Sequence, residues 1–348
     1  MIVKNSIFQI QEIETIRLSL ELISYLSQFD IALTINTMGD PLSDLFFRHI
    51  EYIWQHNKNS PEKKPIIMMD LCNLTPFYPE YTRWSKIVSH FIAPSLYTAH
   101  SLGVVNMNIS TSIVYPLPSS KFLSKEFYQF ACHEKLSNWP RKIYGKYRIG
   151  CIGNMIGYKS PGICVKVIYE LMRMIGKSNT KENFQFVYVG SGFMYDDIKK
   201  LAIKLEVIDY IEFMGFVDGN LGEILSTFDI AINPSTRGES FGILNVEAVL
   251  SCTPVLAFNR SANQESLFGY LSTSQEVVKF PELLLNLFSV EAFADRLVDL
   301  YNGNFKFSVD MIRYAQNITA SLFNPQLQLR QMNDAIQYTF INELKRES

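Results

Sequence analysis

Apolar runs of strand length alternate with amphipathic helical patterns along the whole chain. In the first part, strand-like runs at residues 2–11, 30–36, 65–71, 87–93 and 111–115 are separated by segments with apolar residues at three-to-four spacing. The run at residues 65–71 is almost continuously apolar, which is typical of a strand buried on both faces. This alternation predicts a parallel sheet covered by helices on both faces.

The second part of the chain repeats the alternation more clearly. Strands are predicted at residues 147–153, 184–190, 210–214, 230–233 and 254–258, and helices at residues 162–175, 195–205, 221–227 and 241–250. Strands and helices in regular succession predict a second doubly wound α/β unit. A last helix is predicted over residues 326–345.

A proline-containing stretch of mixed polarity, residues 116–146, separates the two parts and indicates a connection between domains. The sequence therefore predicts two Rossmann-like α/β domains that are followed by this last helix. Their boundaries are predicted at residues 1–146 with the linker included, 147–324 and 325–348. Two such domains place a functional site in the cleft between them, at the carboxyl ends of the strands.

Charge and composition exclude several classes of partner. The 348 residues carry a net charge of −2, so no strong field would attract nucleic acid, and no zinc-finger or RNA-binding signature is present. Because there is no CxxC pair and no Asp-x-Asp pair, no metal site is predicted.

The chain contains no segment that looks like a membrane anchor. Its first residues lack an apolar core behind a basic start, and no uncharged apolar run of about 18 residues occurs. We therefore expect a cytoplasmic protein. Residues 52–64 mix aromatic residues with lysines and fit either peripheral contact with the cytoplasmic membrane face or a solvated helix end and loop.

The most informative segment runs from Asn233 to Pro254, where a predicted strand ends, a loop follows and an apolar helix begins near Phe241. Such a loop presents free backbone N–H groups and the positive end of the helix dipole, which suit a phosphate or sugar hydroxyl groups. Glu239 lies in the loop and Glu247 eight residues later. A carboxylate accepts two hydrogen bonds at once and so suits vicinal hydroxyl groups. On spacing alone, the favoured interpretation is that Glu239 only complements the helix dipole and that Glu247 is a solvated helix residue.

The residues around the two glutamates resemble glycosyltransferase family 4, a family of retaining enzymes with the GT-B fold. Its motif is a glutamate, seven residues and a second glutamate, with Phe-Gly after the first, Ala after the second and Pro-Val further on. The chain supplies the motif in order and at that spacing as Glu239, Phe241, Gly242, Glu247, Ala248, Pro254 and Val255. Segments at residues 189–192, 211–215 and 229–235 also resemble the strand ends of the family, so the resemblance extends over residues 148–320. The last predicted helix resembles the C-terminal helix of the family, which crosses back to the first domain.

The resemblance implies roles for the residues of this motif. Glu239 would hold the transferred sugar, and Glu247 would hold the ribose of the nucleotide. The backbone amides of Phe241, Gly242 and Ile243 would lie near sugar hydroxyl groups or the diphosphate.

The family also places an arginine and a lysine on the diphosphate, in a segment that begins here at Gly153. Lys159 matches the lysine, whereas Asn154 stands at the position of the arginine. An asparagine can donate a hydrogen bond but brings no charge. Arg148 and Arg237 are the alternatives for supplying that charge.

The first domain matches the family more loosely. Asp70, at the end of the strand predicted at residues 65–71, matches the aspartate of a His-Asp pair in the family, and Met69 occupies the histidine position. The glycine-rich loop that usually follows the first strand is missing from the sequence. The acceptor side is therefore predicted to be short and divergent, with Asp70 as its candidate catalytic residue.

These features predict transfer of a glycosyl group from a nucleotide diphosphate sugar to a glycan, lipid or protein-linked saccharide, with retention of configuration. No cofactor or metal is expected, because helix N-termini and Lys159 would stabilise the leaving diphosphate. The substitutions at Asn154 and Met69 keep a second interpretation open, a catalytically silent nucleotide-sugar-binding or partner subunit. A sugar phosphorylase or epimerase on the same fold is a third.

Overall fold

The computed structural model describes most of the second part of the chain and selected segments of the first. The described residues are 32–36, 66–70, 88–101, 109–124, 127, 145–219, 221–236, 239–268, 284–285, 289–305 and 307–347. Within residues 32–36 and 66–70 the description extends to the backbone alone. The strand predicted at residues 2–11 and the aromatic and lysine-containing segment at residues 52–64 lie outside the described residues.

Four parallel strands form the first sheet, in the order β1-β2-β3-β4. They are β1 (Ala32–Asn36), β2 (Ile66–Asp70), β3 (His90–Ala93) and β4 (Ser110–Ile113). All three pairings are parallel, with Asn36 opposite Asp70 at the ends of β1 and β2. Asp70 therefore lies at the carboxyl edge of this sheet.

Six parallel strands form the second sheet, in the order β10-β9-β8-β5-β6-β7. They are β5 (Tyr147–Ile152), β6 (Phe184–Val189), β7 (Ile211–Gly215), β8 (Ile230–Asn233), β9 (Val255–Phe258) and β10 (Leu284–Leu285). The chain extends from β5 to β7 on one side and then returns to β8 on the other side of β5. This reversal is the topological switch point of the sheet. Here the connections after β5 and β8 diverge and leave a crevice at the carboxyl edge.

Burial explains the strand patterns. All residues of β8 and β9 are buried, as the near-continuous apolar sequence of a central parallel strand predicts. The strand β7 lies at the edge of the sheet and alternates between half-buried and exposed residues. The core between the sheet and its helices contains large, fully buried aromatic side chains, among them Phe186, Phe228, Phe258 and Phe293.

Helices connect the strands and cover the sheets. They are α1 (Leu96–Ser101), α2 (Gly162–Ile175), α3 (Lys177–Asn183), α4 (Tyr195–Lys204), α5 (Leu221–Ser226), α6 (Ile243–Leu250), α7 (Asn263–Phe268), α8 (Val290–Asn302), α9 (Val309–Leu322) and α10 (Pro325–Glu347). Short 3₁₀ turns lie at Ser120–Leu123, Gly157–Lys159 and Ile208–Tyr210.

Serine side chains cap the two helices near the end of the second part. The Ser289 hydroxyl accepts the N–H of Ala292 at the start of α8, and the Ser308 hydroxyl accepts the N–H of Met311 at the start of α9. The helix α8 ends at Gly303, whose φ of 74° is a conformation that glycine adopts without steric cost.

The last helix, α10, returns to the first sheet. Ala335 packs in a small apolar cluster with Ile92 of β3 and Val114 after β4. Pro325 is the first residue of the helix, a position where its missing N–H costs nothing. The predicted crossing helix is therefore confirmed as part of the α/β fold. None of the helices in the described part of the chain is long and apolar enough to cross a membrane.

Candidate active site

Two residues that are far apart in sequence meet at the switch point of the second sheet. Lys159 lies in the 3₁₀ turn after β5, and Glu239 lies in the connection after β8. The Nζ atom of Lys159 lies 2.5 Å from the Oε2 atom of Glu239. The structure thus brings together the two residues for which the sequence indicated contact with the diphosphate and the sugar.

This ion pair is only partly accessible. The side chain of Glu239 is 9% exposed and that of Lys159 27%. The Lys159 ammonium also lies 5.4 Å from the centre of the exposed Tyr158 ring. An ion pair that is partly withdrawn from water interacts more strongly than one on the open surface.

Glycines allow the chain segments after β5 and β6 to pass close to each other. A Cβ atom on Gly190, at the end of β6, would lie 2.1 Å from the carbonyl oxygen of Gly153, at the end of β5. Only glycine fits at this approach. A Cβ atom on Gly153 itself would meet no atom within 4 Å, so open space lies beside it. The neighbouring Asn154 is exposed.

Gly242 sets the start of α6. It adopts a left-handed conformation with φ 82° and ψ 57°, and a Cβ atom there would lie 2.9 Å from the Asn245 side-chain nitrogen. The helix begins at Ile243, two residues later than the predicted start at Phe241, because this left-handed residue is not helical. The amides of Phe241, Gly242 and Ile243 therefore occupy the entry to α6, beginning two residues after Glu239.

A buried amide network holds the first turn of α6 to its neighbours. The Asn245 side chain accepts from Nδ2 of Asn233 at the end of β8 and donates to Asn263 and Ser266 of α7. These bonds join the carboxyl end of β8 to the start of α6. Sequence reasoning missed this network, because the partners come together only after the sheet has formed.

Glu247 lies one turn further along α6 in different surroundings. Its carboxylate is half-buried and accepts the backbone N–H of Ser119, in the segment that follows β4. Burial raises the pKa of Glu247 to about 7, and the Ser119 hydrogen bond opposes that rise. Glu247 is thus not a solvated helix residue.

The side chain of Phe241 has a packing role. It is buried and lies 5.3 Å, centre to centre, from both the Tyr115 and Phe323 rings. Tyr115 follows the first sheet, and Phe323 precedes the crossing helix. The aromatic cluster therefore anchors the glutamate-bearing segment at the junction of the two sheets.

A second set of contacts at this junction was not predicted from the sequence. The hydroxyl groups of Ser95 and Thr98, which follow β3, donate to the carbonyl oxygen of Ser240 at 2.5 and 2.9 Å. The carboxylate of Glu265 accepts the N–H groups of Leu96 and Tyr97 at the start of α1. Residues that follow a strand of the first sheet thus contact the backbone next to Glu239.

The arginines proposed to replace the missing charge at Asn154 have different outcomes. Arg148 lies at the start of β5, away from its carboxyl end, where its guanidinium contacts Gln185 and Glu212. The suggestion that Arg148 serves the diphosphate is therefore wrong, because its side chain is paired at the opposite edge of the sheet. Arg237 lies outside the described residues.

Two further sequence predictions concern Asp70 and metal binding. Asp70 ends β2, and its side chain is not among those described. Within the described ranges, no three histidine, cysteine, aspartate or glutamate side chains form a group that could hold a metal ion.

Comparisons with solved structures identify the architecture. A glycosyltransferase from Rickettsia africae superposes with a TM-score of 0.64 at 14% identity, over 92% of this chain and 80% of that one. Anabaena Alr3699/HepE, solved with UDP and glucose, gives 0.62 at 13% identity, over 91% and 80%. The pneumococcal O-GlcNAc transferase GtfA, solved with UDP and GlcNAc, gives 0.57 at 15% identity, over 91% and 59%. The fold is therefore GT-B.

Sequence comparisons identify the family. The uncharacterized glycosyltransferase MJ1607 of Methanocaldococcus jannaschii is 33% identical over 122 residues, which are 34% of this chain and 31% of that relative. The chain thus matches less than a third of the length of this relative. The family model for Glycosyl transferases group 1 matches residues 145–318, which is half of the chain and includes both Lys159 and Glu239. The chain therefore belongs to the group 1 glycosyl transferases.

Proposed function

We propose that the chain is a retaining glycosyltransferase of family 4, which moves a sugar from a nucleotide diphosphate sugar to an acceptor that is a glycan, a lipid or a protein-linked saccharide. The observation that carries this proposal is the Lys159–Glu239 pair. It places a cation and a carboxylate at the switch point of the second sheet, within the segment matched by the family.

The reaction needs separate stabilisation of two developing charges. When the bond from sugar to diphosphate breaks, negative charge grows on the diphosphate and positive charge on the sugar. Lys159 has three N–H donors, so its ammonium can bind a phosphate oxygen while it keeps a hydrogen bond to Glu239. The amides of Phe241, Gly242 and Ile243 at the entry to α6 add fixed donors for the diphosphate or the sugar.

The two glutamates then have distinct tasks. Glu239 accepts hydroxyl groups of the transferred sugar with its largely buried carboxylate. Glu247 binds the ribose through the acceptor capacity that remains beside the Ser119 N–H. The open space beside Gly153 and the exposed Asn154 leave room for the diphosphate between them.

The acceptor side of this proposal rests on the first sheet. Asp70, which ends β2 at the carboxyl edge of this sheet, is the candidate catalytic residue on the acceptor side. No metal or other cofactor takes part, since Lys159 and the α6 amides supply the positive potential at the diphosphate. We place the enzyme in the cytoplasm, with peripheral contact to the membrane through residues 52–64 as an additional proposal.

Structures of similar fold guide the choice of donor. HepE was solved with UDP and glucose, and GtfA with UDP and GlcNAc. We therefore propose uridine diphosphate sugars as the first donor panel.

The decisive experiment measures release of nucleoside diphosphate from each donor, with wild type, Glu239→Ala and Lys159→Ala. Each substitution removes a charge-assisted contact and is expected to lower turnover at least about tenfold. Exposed Lys177→Ala is the matched control and should match the wild type. Near-normal rates in both active-site variants would remove Lys159 and Glu239 from the site.

A catalytically silent subunit is the second candidate function. It is favoured by the exposed, uncharged Asn154 and by a Lys159–Glu239 pair that is already complete within the protein. In that case nucleotide sugars raise the melting temperature, whereas nucleotide release stays at background with every acceptor tested. A ligand at about a hundred times its dissociation constant adds about 2.7 kcal/mol to the stability of the folded state, so binding is readily detected.

A further inference from the structure

Two serines beside the ion pair adopt a backbone conformation that serine rarely takes. Ser160 has φ 52° and Ser261 has φ 55°. Positive φ strains a residue that carries a Cβ atom, and such strain persists where the surroundings enforce it. Both serines border the connection that carries Glu239, one in the turn of Lys159 and the other after β9.

Ser261 holds the main chain of Glu239. Its hydroxyl accepts the N–H of Glu239 at 2.7 Å and donates to the carbonyl oxygen of Arg260 at 2.6 Å. The next residue, Ala262, donates its N–H to the carbonyl oxygen of Glu239 at 3.3 Å. Both backbone polar groups of Glu239 are thus bound by consecutive residues of one loop.

Ser160 links the turn of Lys159 to the same connection. Its N–H donates to the carbonyl oxygen of Gly157 and ends the 3₁₀ turn in which Lys159 lies. Its hydroxyl oxygen lies 2.5 Å from the hydroxyl oxygen of Thr236. The left-handed conformation turns the chain toward α2 while the side chain stays in contact with Thr236.

We propose that Ser160 and Ser261 are positioning residues that hold Lys159 and Glu239 together for the donor. Each serine keeps a strained backbone because its hydroxyl is needed at the connection after β8. The inference rests on the proposed function of the Lys159–Glu239 pair. It adds that the geometry of this pair depends on two hydroxyl groups that need not touch the substrate.

Glycine substitution distinguishes the effect of the backbone strain on stability from the effect of the serine hydroxyl on turnover. Glycine adopts positive φ without steric cost, so Ser261→Gly relieves the strain and at the same time removes the acceptor of the Glu239 N–H. We expect an unchanged or higher melting temperature together with a kcat that falls about fivefold, the effect of one lost hydrogen bond. The KM for the donor should change less, and Ser160→Gly should show the same combination.

Two further variants make the comparison specific. Glu206 also has positive φ, at 57°, but it lies on the exposed surface beside Lys177. Glu206→Gly should relieve the same kind of strain and leave turnover unchanged. Ser261→Ala keeps the strain and removes the hydroxyl, so it should lose both stability and turnover. A Ser261→Gly variant with wild-type kcat would overturn the proposal.

Amide hydrogen exchange tests the contact without any reliance on activity. In the wild type the Glu239 N–H is bonded to the Ser261 hydroxyl, so Ser261→Gly should accelerate its exchange about fivefold. Unchanged exchange overturns the positioning role of Ser261. If the wild type has no transferase activity, the proposed function fails, and the exchange rates still decide whether Ser261 holds Glu239.

Discussion

Glu239 and Glu247 lie eight residues apart in one segment, yet their surroundings differ in charge and in origin. Glu239 faces an ammonium group from the neighbouring strand end of its own sheet, whereas Glu247 faces a peptide N–H from the segment that follows the other sheet. The first carboxylate is therefore neutralised by a cation. The second is only hydrogen-bonded, and its burial raises its pKa to about 7.

The difference shows that one sequence motif can carry two kinds of binding group. A carboxylate that is paired with Lys159 responds to changes in charge nearby. A carboxylate without a cation responds to pH and to the contact between the two sheets. Substitutions at either glutamate or at its surroundings test this contrast. The expected effects decrease from the Lys159–Glu239 ion pair to the exposed edge of the site.

The largest effect is expected from removal of charge within the ion pair. Glu239→Gln leaves the Lys159 ammonium beside a neutral group, and Lys159→Met leaves a largely buried carboxylate unpaired. We expect each variant to lose between about tenfold and a hundredfold in kcat, measured as initial rates of nucleotide release. Because the two groups act together, the kcat of the double variant should be little lower than that of the less active single variant.

The surface pair of Lys177 and Glu206 provides the control for this cycle. Their side chains are 63% and 74% exposed, so Glu206→Gln should alter neither turnover nor stability measurably. Additive losses in the Lys159–Glu239 double variant would show that the two residues act independently and would break the comparison.

The next effect concerns the contact between the two parts of the chain. Glu265 accepts two N–H groups at the start of α1 and lies 3.4 Å from the Tyr115 hydroxyl. Glu265→Ala leaves these donors without their acceptor and should reduce the free energy of unfolding by about 2 kcal/mol. Urea unfolding measures the loss, and Glu265→Gln, which keeps one oxygen acceptor, should lose about half as much. Equal stability in all three proteins would contradict the role of this contact.

The pH dependence of stability tests the state of Glu247. Its folded pKa of about 7 lies above the ordinary value of 4.5, so the native protein binds more protons than the unfolded chain between these values. The stabilisation that comes from this proton uptake is complete below pH 4.5 and is lost as the pH rises through 7. Glu247→Gln should therefore be more stable than the wild type at high pH by about 1–2 kcal/mol, with little difference at low pH.

Donor binding should show the opposite trend at the same residue. If the Glu247 carboxylate accepts ribose hydroxyl groups, donor affinity in the wild type rises as the pH passes through about 7. Calorimetry in buffers of different ionisation enthalpy should detect release of a proton on binding. Flat stability and affinity profiles in the wild type would remove the distinction between the two glutamates.

Much of the second sheet could be predicted because its signals are local. The strands at residues 147–152, 184–189 and 230–233 lie within one residue of their predicted bounds, since strands that are buried on both faces form continuous apolar runs. The start of α6 was placed early, because the apolar residue Phe241 precedes a glycine whose left-handed conformation is not visible as a pattern.

The contacts between the sheets could not be predicted, because they join residues without any local relation. Glu265 and Leu96 are separated by 169 positions and share no motif. The short helix α7, which carries Glu265, has no apolar periodicity that would predict it. The Lys159–Glu239 contact is different: each residue follows a predicted strand, and adjacent parallel strands end at the same edge.

The smallest effect is expected at Asn154, which stands at the position of a family arginine and so leaves the site without that positive charge. Asn154→Arg places a guanidinium beside the open space at Gly153. Because the position is exposed, the added ion pair with a diphosphate should contribute only about 0.2–1 kcal/mol, which corresponds to a donor Kd that is tighter by a factor of about 1.4 to 5. Salt should weaken this gain, and Asn154→Lys should give less of it, since lysine lacks the planar fork that binds two phosphate oxygens. An unchanged Kd at low salt would mean that Lys159 already supplies the charge that this edge of the site can use.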